Sequence, residues 1–239
     1  VTQTLNIRLK FNHLFFNKLL RQHCLLCAGG DATDLGLCKS CLKDLPWHVA
    51  PQCHQCGLLS NNNLCGTCLS TPPHFDATHS VFTYDFPVNN MMQHYKYGNM
   101  LNLGQIFGQL LSKKVFTKNI DLIIPMPMHP LRLKERGFNQ ALEITKVLAK
   151  DHVEKIDFSS VQRQKLTPPQ ASLPLKDRVK SIKGVFKVNL AENVKNKRIA
   201  IVDDVMTTGA SLNELAKTLK QAGASHVECW IVARTLPKY

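Results

Sequence analysis

Read along the chain, apolar residues fall into two patterns that predict different elements. From about residue 75 onward, short continuous apolar runs alternate with longer segments in which apolar positions recur every three or four residues. The first pattern marks buried strands and the second amphipathic helices. Ser80–Tyr84 reads as a strand. Residues 89–113 read as one long helix, with Met91, Met92, Tyr95, Leu103, Ile106, Phe107, Leu110 and Leu111 on one side. Leu122–Pro125 is a short buried strand, followed by a long polar loop and a helix from about Asn139 to Lys150. Strands are expected near 156–161 and 183–189 and over Arg198–Asp203. A helix over 211–222 ends at Gly223, and Val227–Ala233 is a last buried strand. Buried strands alternating with helices predict an α/β fold, a mostly parallel sheet covered on both faces, whose ligands sit at the carboxyl ends of strands.

The first 70 residues follow neither pattern for long. Ile7, Phe11, Leu14, Phe15 and Leu19 stand at helical spacing among Arg8, Lys10, Lys18 and Arg21, with no acidic residue before Asp31. Such a basic amphipathic segment suits a membrane surface, a second chain, or its own protein. Then come four CxxC pairs: Cys24/Cys27, Cys38/Cys41, Cys53/Cys56 and Cys65/Cys68. Two such pairs complete the four-thiolate tetrahedron that Zn²⁺ prefers, so four pairs read as two structural zinc sites. A disulfide framework would need an oxidising compartment, and no secretion signal accompanies the cysteines. Sequential pairing closes the shorter loops and is favoured over a nested one. Asp44-Leu45-Pro46-Trp47 reads as a joint between two ribbons. Cys229, alone in an apolar strand, reads as a buried thiol. The expected organisation is a basic segment over 1–22, a double zinc ribbon over 23–70, and an α/β domain over 75–239.

Composition adds compartment and charge. No apolar run approaches the roughly 18 residues that span a bilayer. A cytoplasmic protein is expected, with contact at the inner face of the cytoplasmic membrane left open by the basic segment. The formal net charge of +13 is unevenly spread. Residues 113–198 hold 19 Lys/Arg against 8 Asp/Glu, whereas 199–239 balance. A basic excess concentrated in one segment points to a polyanionic ligand: a pyrophosphorylated metabolite, a nucleic acid or an acidic membrane.

Two strand ends carry the chemistry. In the first, the apolar run from Arg198 delivers Asp203 and Asp204, then Val205-Met206-Thr207-Thr208-Gly209-Ala210-Ser211, into a helix N-terminus. Backbone N–H groups and hydroxyls there can cradle a phosphate, and paired aspartates can accept hydrogen bonds from a sugar diol. This resembles the 5-phosphoribosyl-1-pyrophosphate (PRPP) motif of type I phosphoribosyltransferases, which implies a five-stranded, mainly parallel core with a variable hood. In the second, Ile123-Ile124-Pro125-Met126-Pro127-Met128-His129-Pro130 leads through Arg132, Lys134 and Arg136 to Gly137-Phe138-Asn139-Gln140. Cations on such a loop suit a pyrophosphate. His129 reads as a surface histidine.

With the ribbons in front, the chain resembles the ComF (ComFC/GntX) family, whose hallmark is the Pro-rich strand end running into an Arg-Gly-Phe-Asn-Gln turn. The likeness extends to Lys96-Tyr97-Gly98 and to Arg163, Thr167, Gln170, Arg178, Gly184 and Phe186. It departs at Ser181, where Asn is expected, and at Lys134, where Arg is usual. The resemblance implies a competence-type protein of natural transformation that handles internalised single-stranded DNA. It also implies a PRPP site in which Asp203 and Asp204 hold the ribose and residues 207–211 the 5-phosphate, with Val205 and Met206 in the same site. Arg132, Lys134 and Arg136 would hold the pyrophosphate, with Met126, Pro127 and Lys96 also in the PRPP site and Mg²⁺ carried by PRPP. Arg136, Asn139, Gln140, Arg163 and Arg178 are candidate nucleic-acid contacts, and Tyr95, Tyr97 and Phe138 candidate stacking partners. Three readings follow: a phosphoribosyl transferase for an unidentified acceptor, a single-strand-binding transformation factor with PRPP as ligand, and a zinc-ribbon adaptor for a helicase-like partner.

Overall fold

The computed structural model describes residues 23–98, 100–167 and 181–237. The segment expected over Ile7–Leu20, as well as Gln170 and Arg178, lies outside them. The chain forms two compact units that divide between Asp44 and Leu45. The first ribbon belongs to one, and the second ribbon to the same unit as the sheet.

Both ribbons repeat one local plan. In the first, Ala28 N–H donates to Cys24 O at 2.8 Å and Cys24 N–H to Gly29 O at 2.7 Å, with Ala28 at φ 60°. In the second, Gly57 N–H donates to Cys53 O at 2.9 Å and Cys53 N–H to Leu58 O at 2.8 Å, with Gly57 at φ 68°. Each knuckle is completed by a cysteine that opens a one-turn helix: Cys38 before α1 (Lys39–Lys43) and Cys65 before α2 (Gly66–Ser70).

The second unit is built on a parallel sheet of β1 (Ala77–Thr83), β2 (Leu122–Pro125), β5 (Arg198–Met206) and β6 (His226–Arg234), in the order β1-β6-β5-β2. Its two central strands are apolar almost without interruption, as strands covered on both faces must be. Ile199, Ile201, Val227, Cys229 and Ile231 pack against Leu212, Leu215 and Leu219 of a helix over Ala210–Gln221. The intervening Ala200, Val202, Trp230 and Val232 point the other way and are equally buried. Beyond β2, Ile156 makes a single parallel bridge to Ile123, and Asp157 N–H donates to Ile123 O at 3.0 Å. The fifth position of the sheet is thus one residue long.

Several predicted elements take a different form. The long helix over 89–113 is two, α3 (Val88–Tyr97) and α4 (Asn102–Ser112), because Gly98 closes the first with its N–H on His94 O. The polar loop after β2 contains a complete short helix, α5 (Pro130–Arg136). Pro130 opens it, His129 caps it by accepting from Leu131 N–H at 3.2 Å, and Gly137 at φ 82° ends it. Helix α6 (Gln140–Leu148) follows. The strands expected near 156–161 and 183–189 are β3 (Val161–Arg163) and β4 (Phe186–Val188), an antiparallel pair outside the main sheet. A short turn, α7 (Ala191–Val194), precedes β5, and α8 is the Ala210–Gln221 helix. The first long carboxyl-terminal strand runs on through Met206, so Asp203 and Asp204 lie within it.

Trp47 packs its ring on Phe82 with centroids 4.9 Å apart, as a joint residue should. Pro46, Trp47 and His48 run along the outer edge of β1: Thr83 N–H donates to Pro46 O at 2.8 Å and His48 N–H to Val81 O at 2.9 Å. Among the described residues, no helix is long and apolar enough to cross a membrane.

Helices α4 and α6 meet at Gly108, where a Cβ would lie 2.5 Å from Val147 Cβ and 2.9 Å from Ile144 O. Alanine is the better helix former by about 1 kcal/mol, but overpacking of this kind costs more. Gly108→Ala is therefore expected to destabilise the protein, by about 1–2 kcal/mol in urea titration. An unchanged or raised midpoint would show that the two helices can separate freely.

Candidate functional site

The site begins where β5 leaves the core. Asp203 and Asp204 are neighbours, and Asp204 N–H donates to Asp203 Oδ1 at 2.9 Å. Lys96, at the end of α3, places Nζ 2.9 Å from Asp204 Oδ2. Burial opposes the Lys96 charge, but Asp204 more than compensates, so the ammonium is held above its ordinary pKa. Asp203 behaves differently. Burial and the Asp204 charge raise its carboxyl to about 7 against the pull of Lys96, the Asp204 N–H and Arg163. After Met206 the chain turns through Gly209 at φ 78° into α8. The positive φ favours glycine here, whereas the nearest neighbour of a Cβ at Gly209, Met206 Cε at 2.7 Å, is the movable end of a flexible side chain.

The second wall comes from β2. Met126 N–H donates to Val202 O at 2.8 Å, tying the Pro-rich segment to β5. Asn139 caps α6 by accepting from Ala141 N–H at 3.0 Å and Leu142 N–H at 3.3 Å, while its own amide donates to Met126 O at 3.1 Å. Arg136 donates to Gln140 Oε1 at 2.8 Å and lies over the Tyr97 ring, 5.2 Å from its centroid. Arg132 reaches Thr167 O at 3.4 Å, and Arg163 reaches Thr167 Oγ1 at 2.6 Å. These elements enclose a cavity of ≈ 370 Å³. Lys96, Arg132, Arg136 and Arg163 face two carboxylates in it, so the cavity favours an anion with hydroxyl groups.

Of the residues singled out from the sequence, Lys96, Tyr97, Met126, Pro127, Arg132, Arg136, Asn139, Gln140, Arg163, Thr167, Asp203, Asp204, Val205, Thr207 and Ser211 line this one cavity, and so does His129, which is half-buried rather than a surface histidine. Lys134 does not. In helix α5 it stands two residues from Arg132 and from Arg136, which share a face at i, i+4, and its side chain is exposed outside the cavity. Met206 and Gly209 are buried behind the loop, Thr208 is exposed, and Ala210 starts α8. Tyr95 is wholly buried with its hydroxyl on Gln140 O, so it is not available for stacking; Tyr97 is 71% exposed. Phe138 packs on Tyr95, 5.6 Å between centroids. Tyr84 lines the cavity unannounced by any motif. Arg234 was also missed; an arginine ending the apolar run Cys229–Ala233 was the available signal.

Pairing of the cysteines is sequential. Cys24, Cys27, Cys38 and Cys41 bring their sulfurs together within 4.8 Å of one another, and so do Cys53, Cys56, Cys65 and Cys68. Four thiolates on a tetrahedral Zn²⁺ at about 2.3 Å stand about 3.8 Å apart. Cys27 and Cys38 are 3.8 Å apart, and Cys56 and Cys65 3.6 Å. Burial disfavours the Cys24 thiolate, but N–H groups of Cys38, Cys27 and Leu26 outweigh it and bring the thiol to about 6. Cys53 follows to about 7, with N–H groups of Cys56, Cys65 and Gln55 at the equivalent positions. The donor sets fit zinc in both ribbons.

The comparisons with known proteins agree with this architecture. The phosphoribosyl transferase domain model matches residues 97–238 and the double zinc ribbon domain model residues 15–69. Competence protein F of Haemophilus influenzae is 30% identical over 226 residues, 88% of this chain and 96% of the relative. The DNA utilization protein YhgH of Escherichia coli O6:H1 is 31% identical over 193 residues, 77% of this chain and 84% of that one. Competence protein ComFC of Streptococcus pneumoniae is 23% identical over 241 residues, 97% of each. A phosphoribosyltransferase-type domain is thus carried behind a double zinc ribbon. Relatives of that build are competence proteins, and the chain belongs to the ComF (ComFC/GntX) family.

Two outcomes are expected. Metal analysis of the purified chain should give two zinc ions per molecule, and Cys53→Ser one. Asp203→Asn should stabilise the protein above neutral pH. With the folded carboxyl at about 7 and the unfolded one at about 3.9, the folded state binds more protons between these values. Wild-type stability therefore falls as pH rises from 4 to 7. The variant escapes that fall, gaining about 1–2 kcal/mol at pH 8 after solvent screening. Melting curves at pH 5 and pH 8 with equal differences would refute it.

Proposed function

We propose that the protein binds PRPP, carried with Mg²⁺, in the cavity at the ends of β2 and β5, and serves in DNA uptake as a handler of single-stranded DNA. The observation that carries this reading is the acidic pair at the end of a buried strand, opposed by Lys96 and followed at once by a helix N-terminus. Asp203 and Asp204 would accept hydrogen bonds from the ribose hydroxyls, and the loop from Thr207 to Ser211 would take the 5-phosphate. Arg132 and Arg136 would hold the pyrophosphate. Mg²⁺ carried with PRPP would neutralise part of the pyrophosphate charge that Arg132 and Arg136 face.

Support for the nucleic-acid part is of two kinds. Relatives bear the names competence protein and DNA utilization protein. At the cavity mouth, exposed Tyr97 beneath Arg136 offers the flat ring and cation on which a base of a single strand can stack. A transferase reading is favoured by Asp203, whose carboxyl near neutrality can take a proton from an attacking acceptor. Docking of a helicase-like partner by the ribbons, and peripheral contact with the membrane, are the readings left if neither ligand binds.

Calorimetry with PRPP and Mg²⁺ tests the central claim. Binding should weaken at least about a hundredfold in Asp203→Ala/Asp204→Ala, which removes two charge-assisted contacts of about 1.5–3 kcal/mol each. Equal binding by the variant would move the ribose elsewhere. For an oligothymidylate, affinity should fall steeply with salt, and Arg136→Ala should reduce the log–log slope by about 0.7. Pyrophosphate release from PRPP that requires Asp203 would establish turnover.

A further inference from the structure

Arg234 ends β6 as a buried cation, 3% exposed, and no cavity contact explains it. Its guanidinium joins two parts of the molecule that are far apart in sequence. Nε donates to Cys56 O of the second ribbon at 2.8 Å, and Nη1 to Met206 O at 2.9 Å, Thr235 O at 3.0 Å and Thr207 O. Each trans peptide points its C=O and the following N–H in opposite directions. Anchoring the Met206 and Thr207 carbonyls on Arg234 therefore turns the Thr207 and Thr208 N–H groups away from it. These are the first two donors of the loop that leads into α8.

The ribbon side is equally specific. Three consecutive knuckle carbonyls receive donors from the sheet unit: His54 O from Thr78 N–H at 3.0 Å, Gln55 O from Thr78 Oγ1 at 2.6 Å, and Cys56 O from Arg234. A Cβ at Gly57 would stand 3.7 Å from Arg234 Cδ, so the knuckle lies directly on the arginine stem. A ribbon this small has almost no core beyond its cysteines, and metal supplies its folding free energy.

We propose that Arg234 is a positioning residue through which the second zinc ribbon holds the 206–209 loop in its phosphate-binding form. Metal occupancy of that ribbon and phosphate binding at the loop are thereby coupled. The coupling rests on the reading of this loop as the 5-phosphate site, whereas the clasp itself does not.

Both parts can be measured on the full chain. Hydrogen exchange of peptides covering 205–210 should accelerate at least tenfold in Arg234→Met and in Cys65→Ser, which removes a ligand of the second ribbon. The double variant should be no faster than either alone, since both break one connection. If Cys65→Ser does not fold, a chelator pulse on the wild-type chain replaces it, with zinc release and exchange followed together. In the second measurement, ribose 5-phosphate should slow release of the second ribbon's zinc about fivefold or more, and Arg234→Met should abolish the slowing. Unchanged exchange at 205–210 after that zinc is lost overturns the clasp. Ribose 5-phosphate that binds without altering zinc release overturns the coupling. If it fails to bind at all, the phosphate reading falls, and the exchange data still decide the clasp.

Discussion

Two adjacent carboxylates at the end of a buried strand repel each other and lose hydration, and the architecture around β5 answers that difficulty. Lys96 is brought in from α3 to within 2.9 Å of Asp204, and Arg163 from β3 adds a second positive charge to the field at Asp203. The compensation is incomplete, which leaves Asp203 titrating near neutrality. A stability-optimised strand would not carry this pair, and strain of this kind is what a binding site retains. On the proposed reading, an incoming polyol would find acceptors already oriented, and its hydroxyls would relieve part of the cost.

Much of this was legible in the sequence, for identifiable reasons. The parallel strands stand out because burial on both faces removes polar residues from them, and the acidic pair stands out against that background. Cysteine spacing announced both metal sites. What escaped is equally physical. Helix α5 was hidden by prolines that read as loop residues, although Pro130 stands where a first helical position tolerates one. That helix moved Lys134 away from Arg132 and Arg136. Tyr95 resembled a stacking residue by proximity to Tyr97, but two positions along a helix turn it through about 200°, to the opposite face and into the core. Arg234 acts on partners 27 and 178 residues away, a separation beyond the reach of local pattern.

The two ribbons share a plan but differ at one telling position. Both require a left-handed residue after the second cysteine; the second ribbon uses Gly57 and the first Ala28. Alanine there costs about 1 kcal/mol of backbone strain. Gly57 is also the residue pressed against Arg234 and Thr78, where a side chain would meet Thr78 Cγ2 at 3.3 Å. The tighter requirement thus falls on the ribbon that shares a compact unit with the sheet.

The strip formed by Pro46, Trp47 and His48 has a consequence for how the protein tolerates dissection. Strand β1 is the end of the sheet, and this strip, with His54, occupies its outward hydrogen-bonding groups. Cutting the chain near residue 70, between the ribbons and the α/β domain, would leave this seven-residue edge strand bare, ready to recruit another strand. Aggregation after loss of the amino-terminal region would then reflect an unprotected flank of the sheet rather than a lost partner. The second ribbon and the strip before it are best regarded as the sheet's missing border, so the natural seam of this polypeptide falls near Asp44, inside what looks like a single metal-binding module.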